Sequence, residues 1–99
     1  MTKEQALNLL GLAQRARRLT TGETFVLGAI RDSSAKLVLV ASDASANTKK
    51  KFTDKSSFYE IPLVDSLTTM ELSHAIGAKR SLIAVCDIGF AKKLLKLLT

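Results

Sequence analysis

Two short apolar runs constrain what this chain can fold into more than any other feature of its sequence. Leu37-Val38-Leu39-Val40-Ala41 and Leu82-Ile83-Ala84-Val85-Cys86, the second opened by Ser81, show no alternation of apolar and polar side chains. A strand with one wet face alternates, whereas an unbroken run of this length is covered on both faces. Each run therefore predicts a strand in a sheet with helices above and below, and the rest of the chain has to supply those helices.

The flanking sequence has the patterns required. Thr2 with Gln5 forms a capping-box signature, and Ala6, Leu9, Leu10, Ala13 and Ala16 recur at helical spacing, which predicts a first helix over roughly 3–17 that ends among Arg15, Arg17 and Arg18. Leu19-Thr20 reads as a short edge strand. Thr20 or Thr21 is placed to cap a second helix from Gly22, with Val26, Ala29 and Ile30 inward. Ser42-Asp43 is the expected cap of a third helix, from residue 44 to about 55, whose inward anchors are only Ala44, Thr48 and Phe52. Ile61-Pro62-Leu63-Val64 predicts a brief strand at a sheet edge, because proline cannot donate to a ladder. Thr68 and Glu71 form a second capping box, opening a helix through Met70, Leu72, Ala75 and Ile76 that Gly77 ends in a left-handed conformation. Asp87 caps the last helix, with Phe90, Ala91, Leu94, Leu95 and Leu98 inward and Lys92, Lys93 and Lys96 outward. This alternation of helix and strand predicts an α/β fold, a three-layer α/β/α sandwich on a mixed sheet of about four strands. With no repeat, no low-complexity segment and one proline, residues 1–99 read as a single domain.

Several chemistries lack their parts. One cysteine excludes an intrachain disulfide, and one histidine with one cysteine cannot supply a four-ligand zinc site, so neither metal nor cofactor is expected. Cys86 in an apolar strand reads as a small inert hydrophobe, and His74 as a surface residue near a helix end. There is no G-x-S-x-G elbow, no P-loop and no G-x-G-x-x-G after a strand, which leaves no visible enzyme active site. No apolar run approaches the roughly 18 residues that a membrane span needs. A soluble, cytoplasmic protein is expected.

Charge points elsewhere. Fifteen Lys plus Arg against nine Asp plus Glu give a net charge of +6, a balance that suits a nucleic-acid partner but also simple solubility. Consecutive Lys49, Lys50 and Lys51 fan about 100° apart on a helix and cannot all face one ligand, although Lys51 and Lys55 can. More informative are two connections. Lys79 and Arg80 lie between a helix and a buried strand, and Thr20-Thr21-Gly22-Glu23-Thr24 puts a glycine at a helix start, where free backbone N–H groups favour an anionic oxygen. Together they suit a structured RNA, read through backbone, 2′-hydroxyls and splayed bases. Phe25, Phe52, Phe58, Tyr59 and Phe90 show no RNP-like pattern, which disfavours a dedicated single-strand stacking reader.

Three stretches then resemble a known family over nearly the whole length. They are L-x-L-A-x-R-A-x-x-L over 10–19 running into Gly22 and A-I-R over 29–31, A-K-L-V-L-V-A-S-D-A-S over 35–45, and E-L-S-H-A-I-G over 71–77 with D-x-G-F-A-K-K-L-L over 87–95. The chain resembles the bacterial YlxQ-type branch of the ribosomal kink-turn-binding family. That resemblance implies a non-enzymatic α/β/α sandwich that binds kinked stem-internal-loop-stem RNA in a ribosomal or other ribonucleoprotein setting. Archaeal members carry G-T-N-E-x-x-K at the start of helix two. Here Gly22 matches the glycine and Glu23 takes the next position, while Thr24, Phe25 and Gly28 replace Asn, Glu and Lys. An amide, a carboxylate and a cation are thereby lost. The second family contact carries over onto Ile76, Gly77, Ala78, Lys79, Arg80 and Ser81, where the basic pair replaces a more apolar loop. The RNA-contacting residues expected on these grounds are Thr21, Gly22, Glu23, Thr24, Gly28 and Arg31 with residues 76–81. Gly28 inside a helix costs about 1 kcal/mol against alanine, which suggests a close backbone approach, ordinarily helix–sheet packing. The competing expectation is a protein-interaction adaptor on the same sandwich that has lost RNA binding.

Overall fold

The computed structural model describes residues 2–99, and of Thr2 only the backbone, so the first capping box lies outside the described residues. The elements in chain order are α1 (Thr2–Arg15), β1 (Leu19–Thr21), α2 (Glu23–Arg31), β2 (Leu37–Val40), α3 (Ala46–Phe58), β3 (Leu63–Val64), α4 (Thr69–Ile76), β4 (Leu82–Val85) and α5 (Ile88–Leu98). The two apolar runs supply the two central strands, Leu37–Val40 and Leu82–Val85, fully buried in a sheet of order β1-β4-β2-β3, with Cys86 half-buried just beyond the second. β4 pairs antiparallel with both β1 and β2, and β3 pairs parallel with β2, so the sheet is mixed.

Strand periodicity divides the core in two. Leu37, Leu39, Ile83 and Val85 face Ala6 and Leu10 of α1, Leu72 and Ile76 of α4, and Ala91 and Leu94 of α5. Val38, Val40, Leu82 and Ala84 face Val26 and Ile30 of α2 and Phe52 of α3. The register that pairs Val38 with Ala84 and Leu37 with Val85 keeps each set on one face, and a one-residue slip would mix them.

The elements depart from the sequence reading in several places, α3 among them, which runs on to Phe58 where a stop near residue 55 is expected. α1 stops at Arg15, because Arg17 takes a left-handed backbone (φ 59°) while Arg18 N–H donates back to the Ala13 carbonyl at 3.0 Å, which leaves Ala16 exposed. α3 starts two residues late, capped by Ser45, whose hydroxyl accepts from Thr48 N–H at 3.2 Å. Asp43 is unavailable as that cap because its carboxylate accepts from the Thr69 N–H and hydroxyl at 2.9 and 2.7 Å. Met70 projects into solvent at 80% exposure instead of packing inward. The second capping box forms as expected, with Glu71 N–H donating to Thr68 Oγ1 and Thr68 N–H to Glu71 Oε1, and Gly77 closes α4 at φ 77°.

Candidate functional site

The antiparallel pairing of β1 with β4 decides where the two informative loops fall. Thr21 at the end of β1 lies opposite Ile83, near the start of β4, so the chain leaves for α2 beside the residues that lead into β4. Gly22, Glu23, Thr48, Lys79, Arg80, Ser81 and Leu82 line a cleft of about 270 Å³ at this end of the sheet. A larger open concavity of about 610 Å³, lined by Asp43, Met70, His74, Gly77, Ala78 and others, adjoins it and shares Lys79.

On one wall α2 begins without a side-chain cap. Gly22 is the N-cap residue at φ 93°, ψ 143°, a conformation strained for any residue with a Cβ, and no hydroxyl reaches the first turn. The expected cap from Thr20 or Thr21 fails because both threonines are held in the edge strand. Thr20 Oγ1 faces the Cys86 thiol at 3.6 Å, and Thr21 Oγ1 accepts from Arg80. The first intrahelical bond is Val26 N–H to the Gly22 carbonyl at 2.9 Å, so the N–H groups of Glu23, Thr24 and Phe25 have no partner within the helix.

The loop after α4 lines the same cleft and is fixed through its backbone. Arg80 N–H donates to Ser73 Oγ at 2.9 Å, and that hydroxyl donates to the Arg80 carbonyl at 3.2 Å. The guanidinium spends Nε–H on Thr21 Oγ1 at 3.1 Å and one Nη1–H on the Lys79 carbonyl at 2.6 Å. Three of its five N–H donors stay available in a fork whose orientation is set. From α3, Lys51 reaches Glu23 Oε1 at 2.8 Å and neutralises the one carboxylate in the cleft. The exposed Lys79 and Arg80 then set its sign.

Two carboxylates brace the start of α4. The Thr69 hydroxyl, then the Thr69 N–H, hold the Asp43 carboxyl below its ordinary value. The Lys3 ammonium, then the Thr68 N–H, do the same for Glu71. A lowered folded-state pKa contributes stability that is complete above the unfolded value and lost as pH falls through the folded one. Acidification from about pH 6 to about pH 3 is therefore expected to lower the urea midpoint less in Glu71→Gln than in the parent protein. An equal drop in both would show that Glu71 is not one of the groups responsible.

Of the residues singled out from sequence, Thr21, Gly22, Glu23, Lys79, Arg80 and Ser81 come together, with Gly77 and Ala78 on the adjoining concavity. Thr24 is exposed in the first turn of α2. Ile76 does not belong to the surface: it is 8% exposed and packs in the core. Arg31 is exposed at the far end of α2, about 12 Å along the helix from Glu23. Gly28 makes no close approach. It is exposed, and a Cβ built there would meet nothing within 4 Å. Gly28→Ala is accordingly expected to raise stability by about 0.5–1 kcal/mol, read from the urea midpoint; a loss would restore the packing explanation. Thr48, expected from its spacing as an inward anchor of α3, is half-buried and lines the cleft instead, and the reach of Lys51 to Glu23 is a contact across 28 residues that no local pattern signals.

Among the described residues, no group of three or more His, Cys, Asp or Glu is placed to hold a metal ion, and no helix is long and apolar enough to cross a membrane. Residues 4–95 match the ribosomal protein L7Ae/L30e/S12e/Gadd45 family. The chain is 48% identical over 91 residues to the RNA-binding protein YlxQ of Enterococcus faecium, covering 92% of this chain and 88% of that one. It is equally identical, 48% over 91 residues, to the RNA-binding protein YlxQ of Bacillus subtilis (strain 168), covering 91% of each. Among solved structures, a Bacillus halodurans protein of unknown function superposes with a TM-score of 0.92 at 45% identity, covering 94% of this chain and 95% of that one. The Giardia lamblia 15.5kD RNA binding protein superposes at 0.80 over 98% of this chain and 84% of its own, and at 14% identity that likeness speaks for the fold alone.

Proposed function

This chain belongs to the ribosomal protein L7Ae/L30e/S12e/Gadd45 family, and we propose that it is a non-enzymatic RNA-binding protein whose residues 1–99 act as one domain on kinked, structured RNA. The observation that carries the reading is the Arg80 fork, tied to Thr21 and lining one cleft with the uncapped start of α2. Free N–H groups at a helix start donate to an anionic oxygen, and a planar guanidinium donates two parallel bonds to a phosphate. Two anion-binding groups lining one cleft suit a ligand that brings more than one phosphate to it. A sharply bent RNA does so more readily than a straight duplex.

Two YlxQ relatives that carry the name RNA-binding protein support the ligand class. A ribosomal or ribosome-associated RNA in the cytoplasm is the setting that the family suggests. Thr24, Phe25 and Gly28 in place of Asn, Glu and Lys leave the α2 side with fewer groups that read base edges. Backbone contacts then carry more of the affinity, and discrimination is looser. In a gel-shift series at several salt concentrations, a kink-turn RNA is expected to bind about tenfold more tightly than a straightened control. Equal weak binding to both with a steep salt slope would reduce the activity to generic polyanion attraction and overturn the reading.

A further inference from the structure

Among the described residues, the large apolar side chains that remain exposed are Leu12, Phe25, Phe58, Tyr59, Met70 and Ile88. Phe58 and Tyr59 pack edge to face, 5.1 Å between centroids, at the end of α3 distant from the cleft. Phe25 is different. It is 72% exposed in the first turn of α2, and its Cδ2 lies 3.8 Å from where a Gly22 Cβ would stand. The ring leans back over the N-cap residue, as long side chains in a helix do, and that residue, Gly22, lines the cleft together with Lys79 and Arg80. Most of the side chain is open to solvent. Phenylalanine offers no hydrogen bond to a base edge, so at this position it can contribute only a flat apolar surface with a π-face.

Resting on the proposed RNA-binding function, we infer that Phe25 is a stacking surface for one unpaired base of the bound RNA. The chemistry on either side fits the two parts of a nucleotide. Arg80, Lys79 and the free amides suit its phosphate, and the ring against Gly22, in the first turn of the same helix, suits its base. Stacking tolerates any base, so this contact fixes the geometry of a splayed nucleotide without specifying its sequence.

The test uses a kink-turn duplex and the same duplex with abasic sites at its unpaired positions. Phe25→Ala is expected to weaken binding of the intact duplex about 5- to 100-fold, with the salt slope unchanged because no charge is removed. Phe25→Leu keeps an apolar side chain of similar bulk but no π-face and should fall with the alanine variant, whereas Phe25→Trp should stay within about threefold of the parent. The chain has no tryptophan, so the F25W protein reports from this position alone. Its emission should be quenched by the intact duplex and not by the duplex that lacks the stacked base. If the parent binds the kink-turn while F25A and F25L bind it equally well, the stacking inference is overturned and the RNA-binding reading stands. Failure of the parent to bind either duplex overturns both. Because Phe25 lies outside the core, unchanged thermal melts are expected for all three variants.

Discussion

Replacing Lys79 and Arg80 together by alanine is expected to cut affinity for a kink-turn RNA by about 10- to 100-fold, and to flatten the dependence of log K on log salt by about 1.5. Each phosphate contact made by a cation contributes about 0.7–0.9 to that slope, so two lost contacts set its size. The fold should survive, and the reason lies in the loop's own bonding. Arg80 is held through its N–H and carbonyl to Ser73 Oγ, neither of which the substitution touches, while the side-chain bond to Thr21 is exposed. The two positions should also separate. Lys79 is a flexible point charge, so Lys79→Ala should weaken straight and kinked RNA alike. Arg80→Lys keeps the charge and loses the oriented fork, so its cost should fall mainly on the kinked RNA. Unchanged affinity in the double variant, with the parent binding normally, would mean that the interface lies on another surface.

The sequence made the two central strands readable because a strand covered on both faces leaves an unbroken apolar run, and few other structures do so at that length. It did not show which strands are neighbours. β1 lies beside β4, its antiparallel partner some 60 residues later, and that pairing alone brings Gly22 and Arg80 to one cleft. Each loop was legible as a candidate, but their juxtaposition is a property of the topology. The caps divide in the same way. The Thr68–Glu71 box is local and forms as read, whereas Asp43 is captured by Thr69, 26 residues away, and gives up the start of α3 to Ser45. Ile76 is expected as an RNA contact only by the resemblance to the family, whereas its helical register already follows Leu72 into the core. Gly28 shows the limit from the other side: an unfavourable helix residue suggests a packing reason, and the exposed helix face offers none.

The largest stability effect is expected at α3, which forms one wall of the cleft yet has a slender hold on the sheet. Its buried residues are Phe52 and Ser56, and the Ser56 hydroxyl finds no hydrogen-bond partner among the described residues. Phe52, fully buried against the Val38/Val40/Leu82/Ala84 face of the sheet, is therefore the side chain that seats the helix. The Lys51–Glu23 pair cannot substitute for it, since both partners are about half exposed and such pairs contribute roughly 0–1 kcal/mol. Phe52→Ala is expected to cost about 3–5 kcal/mol in urea unfolding, a large part of the roughly 5–15 kcal/mol typical of a domain. Hydrogen exchange should show the α3 amides opening more readily than those of the central strands. A loss below about 1 kcal/mol would mean that the pocket closes around the smaller side chain or that α3 is held elsewhere. RNA affinity then tests what α3 contributes. Thr48 and Lys51 ride on this helix, so loosening it should weaken kink-turn binding even under conditions where the protein stays folded. Full affinity in a folded Phe52→Ala protein with opened α3 amides would confine the interface to the α2 start and the loop after α4.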